Sequence, residues 1–308
     1  MSEENEAVVD IASCASCGVS EEVDDVKLKE CDDCDLVRYC SDDCEQNHIS
    51  QHAGACKKRA AELRDELLFK QPESSHLGDC PICCLPVPLD LNKATMMVCC
   101  SKLVCDGCDH ANQKREAVGK LERKCPFCRK PIPSTKDRAD KMIMKRIEAN
   151  DPVAMRQWGR EQYDKGDYSS AFEYYTKAAG LGDTEAHYWL SLLYQNGHGV
   201  EKEMRKVIHH WEEAAIGGHP RARHNLGWHE GNNGRYERAL KHYIISAAQG
   251  QDESITTLME KYKEGFVQKD ELAAALRAHK AAVDATKSPQ REAAEAYWIS
   301  SSSKGALD

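Results

Sequence analysis

Sixteen cysteines, all between Cys14 and Cys128, are the residues of this 308-residue chain best able to do chemistry. Ten of them form five C-x2-C pairs: Cys14/Cys17, Cys31/Cys34, Cys80/Cys83, Cys105/Cys108 and Cys125/Cys128. Two-residue gaps suit two thiolates converging on one tetrahedral zinc ion. A disulfide framework would instead need an oxidising compartment and usually a signal peptide. The N-terminus, MSEENEAVVD, is acidic, so neither a secretory signal nor an Arg-rich transit peptide fits. No apolar run approaches the ~20 residues of a membrane span. Metal binding in the cytosol or nucleus is the expectation.

Residues 14–56 follow C-x2-C-x13-C-x2-C-x5-C-x3-C-x7-H-x3-C, which supplies ligands for two closed tetrahedral sites. Cys40 and Cys44 are four apart, as are His52 and Cys56, so each pair can face one metal from a single helical turn. The stretch CDDCDLVRYCSDDCEQNHISQHAGAC, with its Tyr39-Cys40-Ser41 step, resembles a MYND finger. That resemblance implies interleaved zincs, one on Cys14, Cys17, Cys40 and Cys44, the other on Cys31, Cys34, His52 and Cys56. His48 breaks the H-x3-C spacing and is expected to face solvent. Peptide-binding members of the family carry a glutamine directly after the sixth ligand and a tryptophan five residues after it. Glu45 and Ile49 stand there instead, which leaves peptide recognition and a purely structural finger both open.

Residues 57–70 read as a helix, ended by Pro72 and a polar linker to residue 79. Then come CPICCLPVPLD, CCSKLVCDGC and CPFCRKPIP, a run that resembles a RING finger over residues 80–133. The resemblance implies a first site of Cys80, Cys83, Cys105 and Cys108. Lys102 falls where the usual histidine would stand, and an ammonium cannot ligate zinc. Cys99 and Cys100 would therefore join Cys125 and Cys128 in the second site, as an all-cysteine variant. Cys84 is left over, either as a small apolar residue or as a substitute ligand. In RING fingers the ubiquitin-conjugating enzyme docks on a hydrophobic residue in the first zinc loop and a proline in the last, and an arginine beside the final ligand reaches ubiquitin. Ile82, Pro126 and Arg129 occupy those places.

From residue 149 the sequence turns alanine-rich and helical, after a connecting helix over 134–148. Three blocks close at Gly182, Gly218 and Gly250. An alanine recurs at Ala154, Ala186 and Ala222, with Ser254 in a looser fourth unit, and large residues follow four later at Trp158, Leu190, Leu226 and Leu258. Small residues at fixed places let paired helices approach closely, and glycines end them. The pattern resembles Sel-like repeats, the SLR branch of the tetratricopeptide family, over residues 149–298. Tyr174, Tyr175, Trp189, Trp211 and Trp228 fit packing positions, and a helix after Pro289 fits a cap.

The expected architecture is therefore multidomain. Between an acidic tail (1–13) and a polar tail (299–308), two small zinc-binding α+β modules precede an all-α solenoid. The net charge of −9, before any thiolate is counted, opposes general nucleic-acid binding. Residues 14–56 hold three basic against eleven acidic side chains. No segment supplies a cofactor domain or a nucleophile–base pair. The functional expectation is a zinc-binding adaptor with a RING-type ubiquitin ligase module, whose partners are a conjugating enzyme and a substrate protein or peptide. The alternative is a non-enzymatic scaffold with two structural fingers.

Overall fold

The structure, a computed structural model, describes residues 13–20 and 26–304, the side chains of 301–304 excepted. The acidic tail, apart from Ser13, and the last residues of the polar tail lie outside the described residues. The chain divides into two compact units, Met1–Lys70 and Gln71–Asp308.

In the first unit, strands β1 (Lys29–Glu30) and β2 (Arg38–Tyr39) pair antiparallel with Lys29 opposite Tyr39. Helix α1 (Asp42–Leu68) follows at once. Ser41 starts it by accepting the Cys44 N–H, and Asp42, Asp43 and Glu45 favour the positive end of the helix dipole. The helix expected over 57–70 is the second half of α1, because nothing between Ser50 and Lys58 breaks the turn: Gly54 sits in open space and no proline intervenes. Arg59, held in a fork by Asp35, ties this second half back to the zinc loop. Among the described residues the buried apolar side chains here are Cys14, Leu28, Cys34, Val37, Tyr39 and Leu68.

The second unit opens with a hairpin of β3 (Ala94–Met97) and β4 (Lys102–Cys105), in which Ala94 faces Cys105 and Met97 faces Lys102. Helix α2 (Asp106–Val118) and helix α3 (Lys136–Glu148) follow. Then come antiparallel pairs: α4 (Pro152–Asp164) with α5 (Tyr168–Gly180), α6 (Thr184–Asn196) with α7 (Met204–Ile216), α8 (Pro220–Asn232) with α9 (Tyr236–Ala248), and α10 (Asp252–Lys263) with α11 (Lys269–Ala285). Helix α12 (Pro289–Lys304) ends the described chain.

The repeat periodicity has a direct structural meaning. Ala154, Ala186, Ala222 and Ser254 are almost completely buried, and so are Leu190, Leu226 and Leu258. Gly182, Gly218 and Gly250 adopt φ of 85°, 88° and 90°, the left-handed turn that lets one repeat fold back into the next. Of the five aromatics expected to pack, Tyr175 and Trp211 are fully buried, whereas Trp228 is 55% exposed and belongs to the surface. Its helix α8 buries Ala222, Arg223, Leu226, Gly227 and Glu230, and Trp228 falls on the face turned away from them.

Helix α12 does not simply cap the last repeat. It crosses α2, with Tyr297 4.7 Å from His110 ring to ring. Arg291 backbone lies so close to Gly107 that a Cβ there would fall 2.8 Å from the Arg291 nitrogen.

Two glycines should prove unequal. A Cβ on Gly227 would lie 2.8 Å from the Tyr243 ring, while one on Gly231 would meet Ala239 at an ordinary 3.7 Å. Overpacking costs about 1–3 kcal/mol and alanine returns up to ~1 kcal/mol of helix propensity. Gly227→Ala is expected to lower the urea midpoint and Gly231→Ala to hold or raise it. Equal midpoints would refute the close-approach account.

Candidate metal centres

The C-x2-C segments at Cys14, Cys80 and Cys125 share one backbone design. The residue after the second cysteine donates its N–H back to the first cysteine's carbonyl: Gly18 to Cys14 (2.9 Å), Cys84 to Cys80 (2.8 Å) and Arg129 to Cys125 (2.9 Å). Each first cysteine in turn donates to Val19, Leu85 or Lys130. The loop must turn left-handed to do this, with φ of 78° at Gly18, 54° at Cys84 and 61° at Arg129. The turn brings both thiols of each pair into one cluster and leaves the following residue exposed. Cys84 is thereby exposed and stands apart from every thiol cluster, in the place that Gly18 and Arg129 hold in the other loops.

The adjacent pair Cys99-Cys100 sits in the turn of the β3–β4 hairpin. Cys100 and Ser101 both donate to the Met97 carbonyl, and Ser101 takes φ of 55°. This sharp bend sends the two neighbouring side chains to one side, while Lys102 starts β4 exposed. β4 ends in Cys105 and α2 carries Cys108, so one hairpin and one helix serve both clusters.

Four sets of ligand atoms converge: Cys14, Cys17, Cys40 and Cys44; Cys31, Cys34, His52 and Cys56; Cys80, Cys83, Cys105 and Cys108; and Cys99, Cys100, Cys125 and Cys128. Within them Cys17 and Cys40 sulfurs lie 3.5 Å apart, Cys31 and Cys56 3.7 Å, Cys83 and Cys105 3.8 Å, and Cys100 and Cys125 3.9 Å. Tetrahedral ligands with Zn–S bonds near 2.3 Å are spaced by about 3.8 Å. Disulfides need about 2.05 Å, so the spacing fits a shared cation. Cys40 precedes the Ser41 cap and does not share a helical turn with Cys44; His52 and Cys56 do share α1. His48 is half-buried, bonded to the Tyr39 hydroxyl at 3.1 Å, and outside the cluster, so it does not face solvent as expected.

The donors' protonation also fits a metal. Burial opposes ionisation of Cys14, but N–H groups of Cys17, Cys40 and Ser16 bring its thiol down to about 6; the Cys17 and Cys44 side chains push Cys40 up to about 12. The Cys105 side chain draws Cys80 down to about 4, while burial pushes Cys108 up to about 12. Crowded thiols cannot all ionise beside one another unless a dication compensates them. His52, Nε2 3.2 Å from the Cys34 sulfur, is kept neutral by burial, as a ligand must be.

A further convergent group, unforeseen from sequence, is His76, Glu185 and His219. Both ring Nε2 atoms meet one carboxylate oxygen, at 3.0 Å from His76 and 3.2 Å from His219. His219 also caps α8, its Nδ1 accepting the Ala222 N–H. With Nδ1 accepting, a neutral ring carries its proton on Nε2 and donates it to Glu185, so that nitrogen has no lone pair for a metal. This group is a hydrogen-bonded clamp between the segment leading to Cys80 and the repeats.

The residues read as conjugating-enzyme contacts are on the surface. Ile82 is 42% exposed, Pro126 half-buried and Arg129 exposed. Phe127, which sequence reasoning passed over, is 44% exposed. It holds the position in CPFC that Ile82 holds in CPIC, and that shared pattern was the available signal.

Zinc stoichiometry tests the ligand sets. Cys100→Ser should lower bound zinc by one ion per chain, while Cys84→Ser should leave it unchanged; elemental analysis showing the reverse would refute the assignment. The clamp gives a second test. Burial holds His219 down to about 4, and Glu185 lies well below its usual range because both histidines outweigh its burial. An unfolded histidine takes a proton near 6.5 that folded His219 refuses, so stability falls as pH drops from ~6.5 toward 4, and Glu185 adds a loss below about 4.5. His219→Asn keeps a capping side chain and should flatten the upper part of that fall in urea titrations. The unaltered cysteines cancel in the comparison.

Residues 14–56 match the MYND finger family, and residues 152–183, 184–219 and 220–251 each match the Sel1 repeat. Among solved structures the chain is similar to a Sel1 repeat protein from Oxalobacter formigenes, at 28% identity over 50% of this chain and 66% of that one, with a TM-score of 0.43. It is also similar to a protective antigen of uropathogenic Escherichia coli strains that displays an SLR fold, at 28% identity over 48% of this chain and 33% of that one, with a TM-score of 0.40. The chain thus spans just under two thirds of the first and a third of the second. No curated protein matches it. A MYND finger, which implies zinc, and Sel1 repeats, which are protein-interaction modules, are the parts these matches establish.

Proposed function

We propose that this chain is a zinc-binding adaptor that holds four zinc ions and acts, through residues 80–133, as a RING-type ubiquitin ligase. The carrying observation is the exposure of Ile82 on the first zinc loop together with Arg129 directly after the last ligand. Ile82 would give the conjugating enzyme an apolar contact. Pro126 stiffens the last loop beside it. Arg129, turned outward by its left-handed backbone, has a free fork of donors for a ubiquitin carbonyl. The zinc ions would supply rigidity only. Catalysis would consist of holding the charged thioester in a reactive conformation, with no covalent step on this chain. The repeats would present the substrate protein. Glu45 and the exposed Ile49 favour a structural MYND finger, since the aromatic contact of peptide-binding members is missing.

A chain-building assay with the zinc-loaded protein and a panel of conjugating enzymes tests this reading. Ile82→Ala should weaken binding of the cognate enzyme by roughly 1–3 kcal/mol, about tenfold or more. Arg129→Asn, chosen because asparagine tolerates the left-handed backbone, should slow ubiquitin transfer more than binding. Both variants should keep the wild-type zinc content. Wild-type protein that binds no conjugating enzyme and builds no chains would leave the non-enzymatic scaffold as the correct reading.

A further inference from the structure

A cleft of about 960 Å³ opens in the second unit between residues 88–109, the end of the repeats and α12. Its apolar wall is made by Leu89, Val283 and Trp298, and its polar wall is acidic. Asp90, Asp106, Asp109, Asp252, Glu292 and Glu295 line it, against Lys93, Lys287 and Arg291. All three cations are already engaged: Lys93 with Glu295 at 2.9 Å, Lys287 with Asp284 at 2.7 Å, and Arg291 with carbonyls of Pro86 and Thr286 at 2.7 Å each. The cluster of Cys80, Cys83, Cys105 and Cys108 alternates with Asp106 and Asp109 in sequence, and four thiolates on one zinc add a further net −2.

Three buried polar atoms of the lining have no partner: Asp109 Oδ1, Gln249 Oε1 and Arg291 Nε. The Asp109 carboxylate is only 8% exposed, and its other oxygen accepts from Gln113 at 2.8 Å. Gln249 gives its amide N–H to the Gly218 carbonyl at 2.7 Å, which leaves its oxygen bare. Buried polar groups are nearly always paired, so unpaired ones that share a cleft call for a ligand. Two acceptors ask for N–H donors, and one donor asks for an oxygen. Among the described residues, no three carboxylates of the cleft converge on a single point, which favours an organic cation over a metal ion.

We propose that this cleft binds an extended segment of a partner protein that carries a lysine or arginine. The cationic head meets the Asp106 and Asp109 carboxylates and its aliphatic stem lies along Leu89 and Val283; backbone amide groups reach Gln249 Oε1 and Arg291 Nε, both sealed from solvent in the unbound chain, when those side chains turn toward the cleft. The volume lies in the range of ligand-sized sites. This inference goes beyond the ligase reading and holds for an active or an inactive RING alike.

The test uses the full zinc-loaded chain and four pools of fluorescent octapeptides, capped at both ends, with a fixed central arginine, lysine, glutamine or glutamate among randomised uncharged residues. The arginine and lysine pools should bind at least about tenfold more tightly than the glutamine pool, and added salt should weaken them. Asp106→Asn and Asp109→Asn should each cost about tenfold. Ala282→Trp fills the cleft from α11, away from every cysteine, and should abolish binding with zinc content and helicity unchanged. The proposal is overturned if no pool binds, if glutamine replaces the cation without loss, or if Ala282→Trp binds like wild type. It is also overturned if free arginine amide binds as tightly as the peptides, since backbone contacts would then count for nothing. Chain-building activity, measured in parallel, reports on the ligase reading alone.

Discussion

Crowded thiols are unstable neighbours, and much of this protein depends on what settles them. Of the eight buried residues at the heart of residues 80–133, five are cysteines and only Val87, Met97 and Val104 are ordinary apolar side chains. Among its described residues the first unit has six buried apolar residues, two of them Cys14 and Cys34. Cores of this size cannot offset the entropy of ordering their loops. A bound dication would make the thiols themselves the core, so metal affinity and folding free energy would become the same quantity. The left-handed residue after each of three C-x2-C pairs shows how finely the backbone serves that end.

The repeats solve the opposite problem. They contain no cysteine and depend on close packing of small side chains, with Ala171, Ala178, Ala186, Ala214, Ala215 and Ala222 wholly inaccessible. Where the design varies, the variation is chemical. Asp151 and Asp183 start α4 and α6, whereas His219 starts α8 and Gln251 starts α10. His219 still caps its helix and in addition grips Glu185, so a position that elsewhere only begins a helix also joins the repeats to the segment carrying His76.

The C-x2-C spacing marked the ligand pairs, but which pairs share an ion was expected only from the resemblance to interleaved MYND and RING fingers; the same groups converge in the structure. The repeats were legible through glycines that only a left-handed turn requires. Other features carry no local period. Helix α1 runs unbroken because its second half is anchored by Arg59 to Asp35, a contact that no window of sequence reveals. His76, Glu185 and His219 lie far apart along the chain, and each reads alone as an ordinary surface residue. Trp228 was misplaced because an aromatic at helical spacing says nothing of which side of the helix faces out. The cleft is lined by loop, α2 and α12 residues that only long-range packing brings together.

Arg291 sends its guanidinium into the first zinc loop, to the carbonyls of Pro86 and Leu85 and to the sulfur of Cys83, which precedes it by 208 positions. A ribosome adding ~5–20 residues per second would need about 10–40 s to cover that interval. During that time the loop can capture metal but lacks its brace. If the cluster takes up metal as it emerges, coordination would precede bracing, because the loop gains its Arg291 contacts only after the final helix has been made. A nascent chain stalled before α12 would expose the same thiolates to oxidants and competing metals with one fewer guard.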